Sequence, residues 1–302
     1  MTSSTSAAKP ESASGAQPAA TSSNASTNRK VAFPEFSIGA DEPLAVICGP
    51  CVIESRDHVL RMAEAISEIC RRVQVPLIFK SSYDKANRTS ASGYRGLGID
   101  AGLKILSEVR TSFQVPVISD VHTEEEAAQC KSVLDVVQIP AFLCRQTSLL
   151  EAAGQTGKAV LVKKGQFLAP EDMQFAAEKI RAGGSRHVLL CERGACFGYR
   201  DLVVDMRSLV IMRELGDPVV FDATHSVQKM GGAGGKSGGN RAFVPHLARA
   251  AVAVGVDAVF LECHDDPDHA PSDGPNMLPL PALQPLLEDL KRVHELRLHT
   301  RE

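Results

Sequence analysis

The chain has 302 residues, a formal net charge of −3, 44% hydrophobic and 23% charged residues. These values fit a soluble globular protein and give no electrostatic case for a nucleic-acid binder. No apolar run approaches the roughly 20 residues of a membrane span. The eight cysteines form no small disulfide framework, which favours a reducing cytoplasm.

The first 38 residues differ from the rest. Ser, Thr, Ala and Pro dominate them, and too few large apolar side chains are present to form a core. They lack the apolar segment of a secretory signal and are poorer in Arg than a typical organelle transit peptide. The expected organisation is a disordered tail over 1–38 and one folded domain over 39–302.

From residue 44 onward, apolar β-type runs alternate with helical-period segments. The strand candidates are 44–49, 76–80, 115–120, 135–140, 159–164, 187–192, 218–223 and 258–263. Between the first two, Val59, Leu60, Met62, Ala63, Ile66, Ile69 and Cys70 recur at three- and four-residue spacing, as one face of a helix requires. Gly183-Gly184 and Gly216 mark helix ends before strands. A last amphipathic helix is expected over 279–296. Near-continuous apolar strands are those of a parallel sheet covered on both faces. Eight strand–helix units in about 255 residues predict a (β/α)8 TIM barrel in preference to an open doubly wound sheet.

Barrels of this kind carry their chemistry at the carboxyl ends of the strands. Polar residues cluster at those ends: Cys51 and Glu54, Lys80, Lys85, Asn87 and Arg88, Asp120 and His122, Gln138 and Arg145, Lys163 and Lys164, Glu192 and Arg193, His225 and Gln228, and Glu262, His264 and Asp273. Lys80, Lys85, Arg88, Arg145, Lys163 and Arg193 form a cationic set. Converging like charges are costly, so a multiply anionic ligand, with phosphate and carboxylate groups, is expected there. The glycine-rich run at 231–239 lacks P-loop spacing and reads as a flexible lid.

A second set, Cys51, His225, Glu262 and Asp273, offers donors suited to a divalent transition metal and comes from strands that become neighbours when the barrel closes. Cys191, Cys196 and Cys263 are competing candidates. Cys48 and Cys51 have CxxC spacing, but Cys48 lies within the apolar strand and is expected to face away from Cys51.

The motifs GPCVIES, FKSSYDKANRTS, GYRG, ISDVH, QIPAFLCRQT, VKKGQF, ERGACFGY, FDATHSVQ, KSGG and LECHDDPDHAPSDG resemble the 3-deoxy-D-manno-octulosonate 8-phosphate synthases, also called 2-dehydro-3-deoxyphosphooctonate aldolases. The resemblance spans about residues 44–296. Its most specific part is KANRTS, where the related erythrose 4-phosphate synthase has a KPRT-type run. The resemblance implies a cytoplasmic homotetrameric barrel enzyme. Such an enzyme condenses phosphoenolpyruvate with D-arabinose 5-phosphate and water, in lipopolysaccharide biosynthesis or plant cell-wall biosynthesis.

By the same resemblance, Lys80, Lys85 and Gln138 match the phosphoenolpyruvate carboxylate site. Lys163 and Arg193 match its phosphate site, with the Ala141 backbone nearby. Asn87, Arg88, Thr89 and Ser237 match the arabinose 5-phosphate site, and Arg145 matches a residue reaching the sugar phosphate of a neighbouring subunit. Thr89 replaces the usual Ser, and Leu161 replaces a frequent Asn. Cys51, with His225, Glu262 and Asp273, implies the metal-dependent class, since metal-free members have Asn at the Cys51 position. Zn, Fe, Mn and Co all remain open as the ion. Lys85, Asn87, Asp120, His225 and Asp273 are the expected catalytic residues. Which of the ion, Asp273, His225 or Asp120 prepares the attacking water stays open at this point.

Overall fold

Eight aliphatic runs become eight parallel strands in a computed structural model that describes residues 29–87, 93–197, 201–233 and 236–300, with backbone alone for 230–237. The strands are β1 (Ala45–Gly49), β2 (Leu77–Lys80), β3 (Val117–Asp120), β4 (Val136–Ile139), β5 (Ala159–Lys163), β6 (Val188–Glu192), β7 (Val219–Asp222) and β8 (Ala258–His264). They pair in chain order, and β8 pairs with both β7 and β1, which closes the barrel. Each observed strand lies within two residues of its expected range.

A helix follows every strand: α1 (Arg56–Val73), α2 (Ile99–Phe113), α3 (Glu124–Cys130), α4 (Thr147–Gln155), α5 (Met173–Ala182), α6 (Arg207–Glu214), α7 (Val244–Val254) and α8 (Leu283–His299). Local chemistry sets their ends. Ser55 caps α1 by accepting from the His58 N–H at 3.2 Å, and Thr123 caps α3 in the same way from Glu126. The last helix starts later than expected, because a 3-10 turn over Leu280–Ala282 precedes it.

The strand period of two divides the core into two layers. Val46, Cys48, Phe79, Val137, Val160, Leu190, Phe221 and Leu261 face the helices. Ala45, Ile47, Ile78, Ile118, Val136, Leu161, Leu189, Cys191, Val220 and Phe260 fill the barrel interior.

The amino-terminal end of the barrel is plugged by a hairpin of Val31–Ala32 with Ser37–Ile38. Val31 and Ile38 are buried against the interior layer, and the Phe33 and Phe36 rings stack with centroids 4.9 Å apart. Residues 31–38 therefore belong to the folded unit, a correction to the tail boundary at 38. Averaged composition hides four apolar side chains that act together. Residues 1–28 lie outside the described residues. At the other end, the glycine-rich run forms an antiparallel hairpin, Gln228–Ala233 with Lys236–Gly239.

Candidate active site at the barrel mouth

The site is the next step of the interior strand period. Two residues beyond the buried Ile78, Ile118, Val136, Leu161, Val220 and Phe260 stand Lys80, Asp120, Gln138, Lys163, Asp222 and Glu262. One register of side chains thus changes from aliphatic floor to ionisable ring. In β1 the equivalent position is Gly49, where a Cβ would lie 1.9 Å from the Lys80 carbonyl oxygen. Only glycine admits that approach of β1 to β2.

The ring is cross-linked. Lys80 Nζ donates to Glu262 Oε1 at 2.7 Å and to the Cys51 carbonyl at 3.0 Å, which leaves one of its three donors uncommitted among the described residues. Lys85 Nζ lies 3.9 Å from the same Glu262 oxygen. Lys163 pairs with Asp222, and its Nζ sits 3.3 Å above the centroid of the Phe260 ring, a cation–π contact in the barrel floor. Asp120 accepts from Ser82 Oγ at 3.1 Å and from the Gln138 amide. Arg193 donates to Gln228 Oε1 at 2.8 Å, and Gln228 donates in turn to Asp273 Oδ1 at 3.2 Å.

The four cations Lys80, Lys85, Lys163 and Arg193 therefore face four carboxylates: Asp120, Asp222, Glu262 and Asp273. The expectation of uncompensated positive charge is amended by these counter-charges. Their proton affinities follow the network. Against the opposing effect of burial, Lys85 and Lys80 hold Asp120 below its ordinary value. Burial likewise opposes the shift at Asp222, which His225 and Lys163 hold far below the carboxylate range. Lys80, His225 and Lys85 do the same to Glu262. Lys85 is held above the ordinary lysine range, because Cys51, Glu262 and Asp120 outweigh the effect of burial. Arg193 is lowered, by burial first, in spite of Asp222.

At one side of the mouth, donor atoms of Cys51, Glu262 and Asp273 lie within 4.8 Å of one another. Cys51 Sγ is 3.0 Å from Ser272 Oγ and 3.3 Å from Asp273 Oδ2. His225 Nε2 is 3.7 Å from Glu262 Oε2 and 3.9 Å from Asp273 Oδ2. The opposite ring nitrogen, Nδ1, is 2.8 Å from Asp222 Oδ2, so its N–H is held there and Nε2 presents a lone pair to the cluster. Glu262 Oε2 is buried and has no hydrogen-bond partner among the described residues. Asp273 has φ +50°, an uncommon left-handed conformation for a non-glycine residue, as found where function fixes the backbone. Burial and the Glu262 charge push the Cys51 thiol up.

The four expected ligands are thus together, and the rival cysteines are elsewhere. Cys191 lies in the interior floor, Cys263 lies in the outer layer with Cys48, and Cys196 lies on a peripheral two-residue strand. Cys48 therefore faces away from Cys51, as expected. Lys164 and Glu192 also face outward. They lie 3.5 Å apart, and Glu192 accepts from the backbone of Arg193 and Gly194 and from Ser208.

The remaining expected residues lie around this centre. Ala141, itself buried, opens a 3-10 turn after β4, while Asn87 and Arg145 are exposed. Ser237 lies on the second strand of the mouth hairpin. Arg88 and Thr89 fall outside the described residues. Sequence reasoning assigned no role to Asp222, Ser82, Ser272 or Phe260. The interior period points to Asp222 and Phe260. The others are placed by loop geometry, which carries no period.

Comparison with known proteins complements this geometry. Residues 18–299 match the sequence model of the DAHP synthetase I family. The chain belongs to the DAHP synthetase I family. Among similar members, a protein of Synechococcus sp. is 58% identical over 260 residues, covering 86% of this chain and 92% of its own length. One from Magnetococcus marinus is 55% identical over 271 residues, covering 90% and 94%. One from Rickettsia bellii is 55% identical over 262 residues, covering 87% and 96%. All three are named 2-dehydro-3-deoxyphosphooctonate aldolase. For a DAHP synthetase I family member, the ring of lysines, arginine and carboxylates occupies the rim where a barrel enzyme carries its chemistry.

Proposed function

We propose that the chain is a 2-dehydro-3-deoxyphosphooctonate aldolase. It condenses phosphoenolpyruvate with D-arabinose 5-phosphate and water to 3-deoxy-D-manno-octulosonate 8-phosphate and inorganic phosphate. One observation carries the reading: two unsatisfied buried groups share one mouth. Arg193 Nη1 is a buried donor without a partner among the described residues, suited to a phosphate oxygen, and Glu262 Oε2 is a buried acceptor without one among them, suited to a cation.

In this reading Lys163 and Arg193 hold the phosphate of phosphoenolpyruvate. The uncommitted donor of Lys80, with Lys85, Gln138 and the Ala141 backbone, holds its carboxylate. Asn87, Arg88, Thr89 and Ser237 hold the sugar phosphate, with Arg145 reaching in from a neighbouring subunit of a homotetramer. The methylene carbon of phosphoenolpyruvate attacks the sugar aldehyde. Water adds at the enol carbon, and phosphate departs with C–O cleavage. Lys163 and Arg193 balance the negative charge of the departing group.

Cys51, His225, Glu262 and Asp273 hold a divalent ion from the set Zn, Fe, Mn and Co. The unpartnered Glu262 oxygen and the fixed His225 tautomer support this assignment. When bound, the ion supplies orientation and polarisation of a coordinated oxygen. It also adds positive charge to a ring whose own side chains are balanced, which suits a multiply anionic substrate. The family likeness supports a role in lipopolysaccharide biosynthesis. No helix among the described residues is long and apolar enough to cross a membrane, and the eight cysteines are unpaired, which supports a cytoplasmic setting.

The test is phosphate release from phosphoenolpyruvate with arabinose 5-phosphate, erythrose 4-phosphate or a mannosamine as the second substrate. Turnover with arabinose 5-phosphate is expected. Turnover with erythrose 4-phosphate alone would assign the chain to the sister synthase.

A further inference from the structure

A second group of metal-type donors lies outside the Cys51 cluster. Atoms of Glu54, His58 and His264 fall within 4.8 Å of one another. They come from three segments: the loop after β1, the first turn of α1 and the end of β8. The His58 and His264 rings lie side by side with centroids 4.7 Å apart. Both are buried, whereas the Glu54 side chain is 27% exposed. The reading proposed above uses none of the three.

Asp265 organises the two imidazoles. Its Oδ1 lies 3.0 Å from His58 Nε2 and 3.1 Å from His264 Nδ1. A carboxylate that takes one N–H from each ring leaves the opposite nitrogen of each ring as a lone pair, the arrangement common around metal-bound histidines. For His58 that opposite nitrogen is Nδ1, which is buried and has no hydrogen-bond partner among the described residues. For His264 it is Nε2, now 2.8 Å from Glu54 Oε1. The Asp266 N–H, 2.9 Å from His264 Nδ1, also lies 3.2 Å from Asp265 Oδ1. It therefore keeps an acceptor when Nδ1 carries the proton.

We infer that His58, His264 and Glu54 form a second divalent-cation site on the barrel rim, with Asp265 holding both imidazoles. Two imidazoles and one carboxylate suit a first-row transition ion such as Zn, Co or Ni, with water completing the coordination. Binding replaces the His264–Glu54 hydrogen bond and shifts the His264 proton from Nε2 to Nδ1. The partly exposed Glu54 and Asp265 side chains provide the entry path. The ion ties the loop after β1 to α1 and to the loop after β8, which carries Ser272 and Asp273 into the mouth. This inference does not depend on the Cys51 site being loaded.

The experiment strips the full-length chain with a chelator, adds Co2+ alone, and counts bound ions by mass spectrometry while recording absorption. The wild type is expected to take two equivalents, one of them with a sulfur-to-cobalt charge-transfer band. Cys51→Ala keeps one equivalent without that band. His58→Gln and Glu54→Gln each lose one equivalent and keep the band. Asp265→Asn weakens that equivalent about 10- to 100-fold. Should His58→Gln fail to fold, Glu54→Gln, altered at a partly exposed side chain, decides. Two equivalents in both variants, or one equivalent in a wild type that shows the band, would overturn the site. Absence of the band with one equivalent still lost in Glu54→Gln would overturn the Cys51 site alone.

Discussion

Asp222 does two things at once. It holds His225 Nδ1 at 2.8 Å and neutralises Lys163 in the barrel interior. Removing its charge leaves a buried lysine uncompensated, a change that costs about 3–5 kcal/mol. Asp222→Asn is therefore expected to lower the melting temperature and to weaken the Cys51-site ion about 10- to 100-fold. Calorimetry and metal titration measure the two effects, and an unchanged ion affinity would contradict the role given to Asp222. Cys51→Asn, which introduces the residue of metal-free relatives, is expected to fold, lose the ion and retain measurable turnover. Complete inactivity of the folded variant would argue that the ion does more than orient substrate. At this scale the four proposed ligands were legible because Cys, His, Glu and Asp stood at strand ends. Asp222 continues the interior strand period and could have been found there, whereas Ser272 gained meaning only when the closed barrel brought β8 beside β1.

Two glycines show how elements meet at the mouth. Gly49 lets β1 approach β2. Gly49→Ala would set a Cβ against a strand carbonyl, so a loss of about 3 kcal/mol or failure to fold is expected in denaturant unfolding. Gly239 ends the mouth hairpin, and a Cβ there would fall 1.4 Å from Asn276 Oδ1 on the loop that carries Asp273. A side-chain amide moves more readily than a strand. Gly239→Ala is therefore expected to fold, displace the hairpin and raise the KM for the sugar phosphate more than it lowers stability. An unchanged KM would contradict a substrate-facing hairpin. The eight strands were readable because parallel strands buried on both faces are almost uniformly apolar. The hairpins at both ends were not, since each is short and its composition is averaged with a polar or glycine-rich neighbourhood.

For the molecule as a whole, the sequence suggested a mouth with excess positive charge, and the fold instead balances it. Asp120, Glu262 and Asp273 were legible at strand ends, but the pairing of carboxylates with cations was not, since it spans 59 residues for Lys163 with Asp222 and 182 for Lys80 with Glu262. This balance sets the acid limit of the fold. Asp120 and Asp222 have folded proton affinities below their unfolded ones. Their contribution is complete above the unfolded value of about 4 and is withdrawn as pH falls through the lowered folded values. Thermal stability is expected to fall steeply below about pH 4, and less steeply in Asp120→Asn than in the wild type. Equal slopes would remove Asp120 from that account.

The central claim is that one mouth joins an anion-holding ring to a metal centre and performs the condensation there. It is tested most directly by turnover of the full-length enzyme with phosphoenolpyruvate and arabinose 5-phosphate before and after exhaustive chelation. The account predicts that activity falls on chelation and returns when Zn, Fe, Mn or Co is restored. Undiminished turnover in metal-free protein would contradict it.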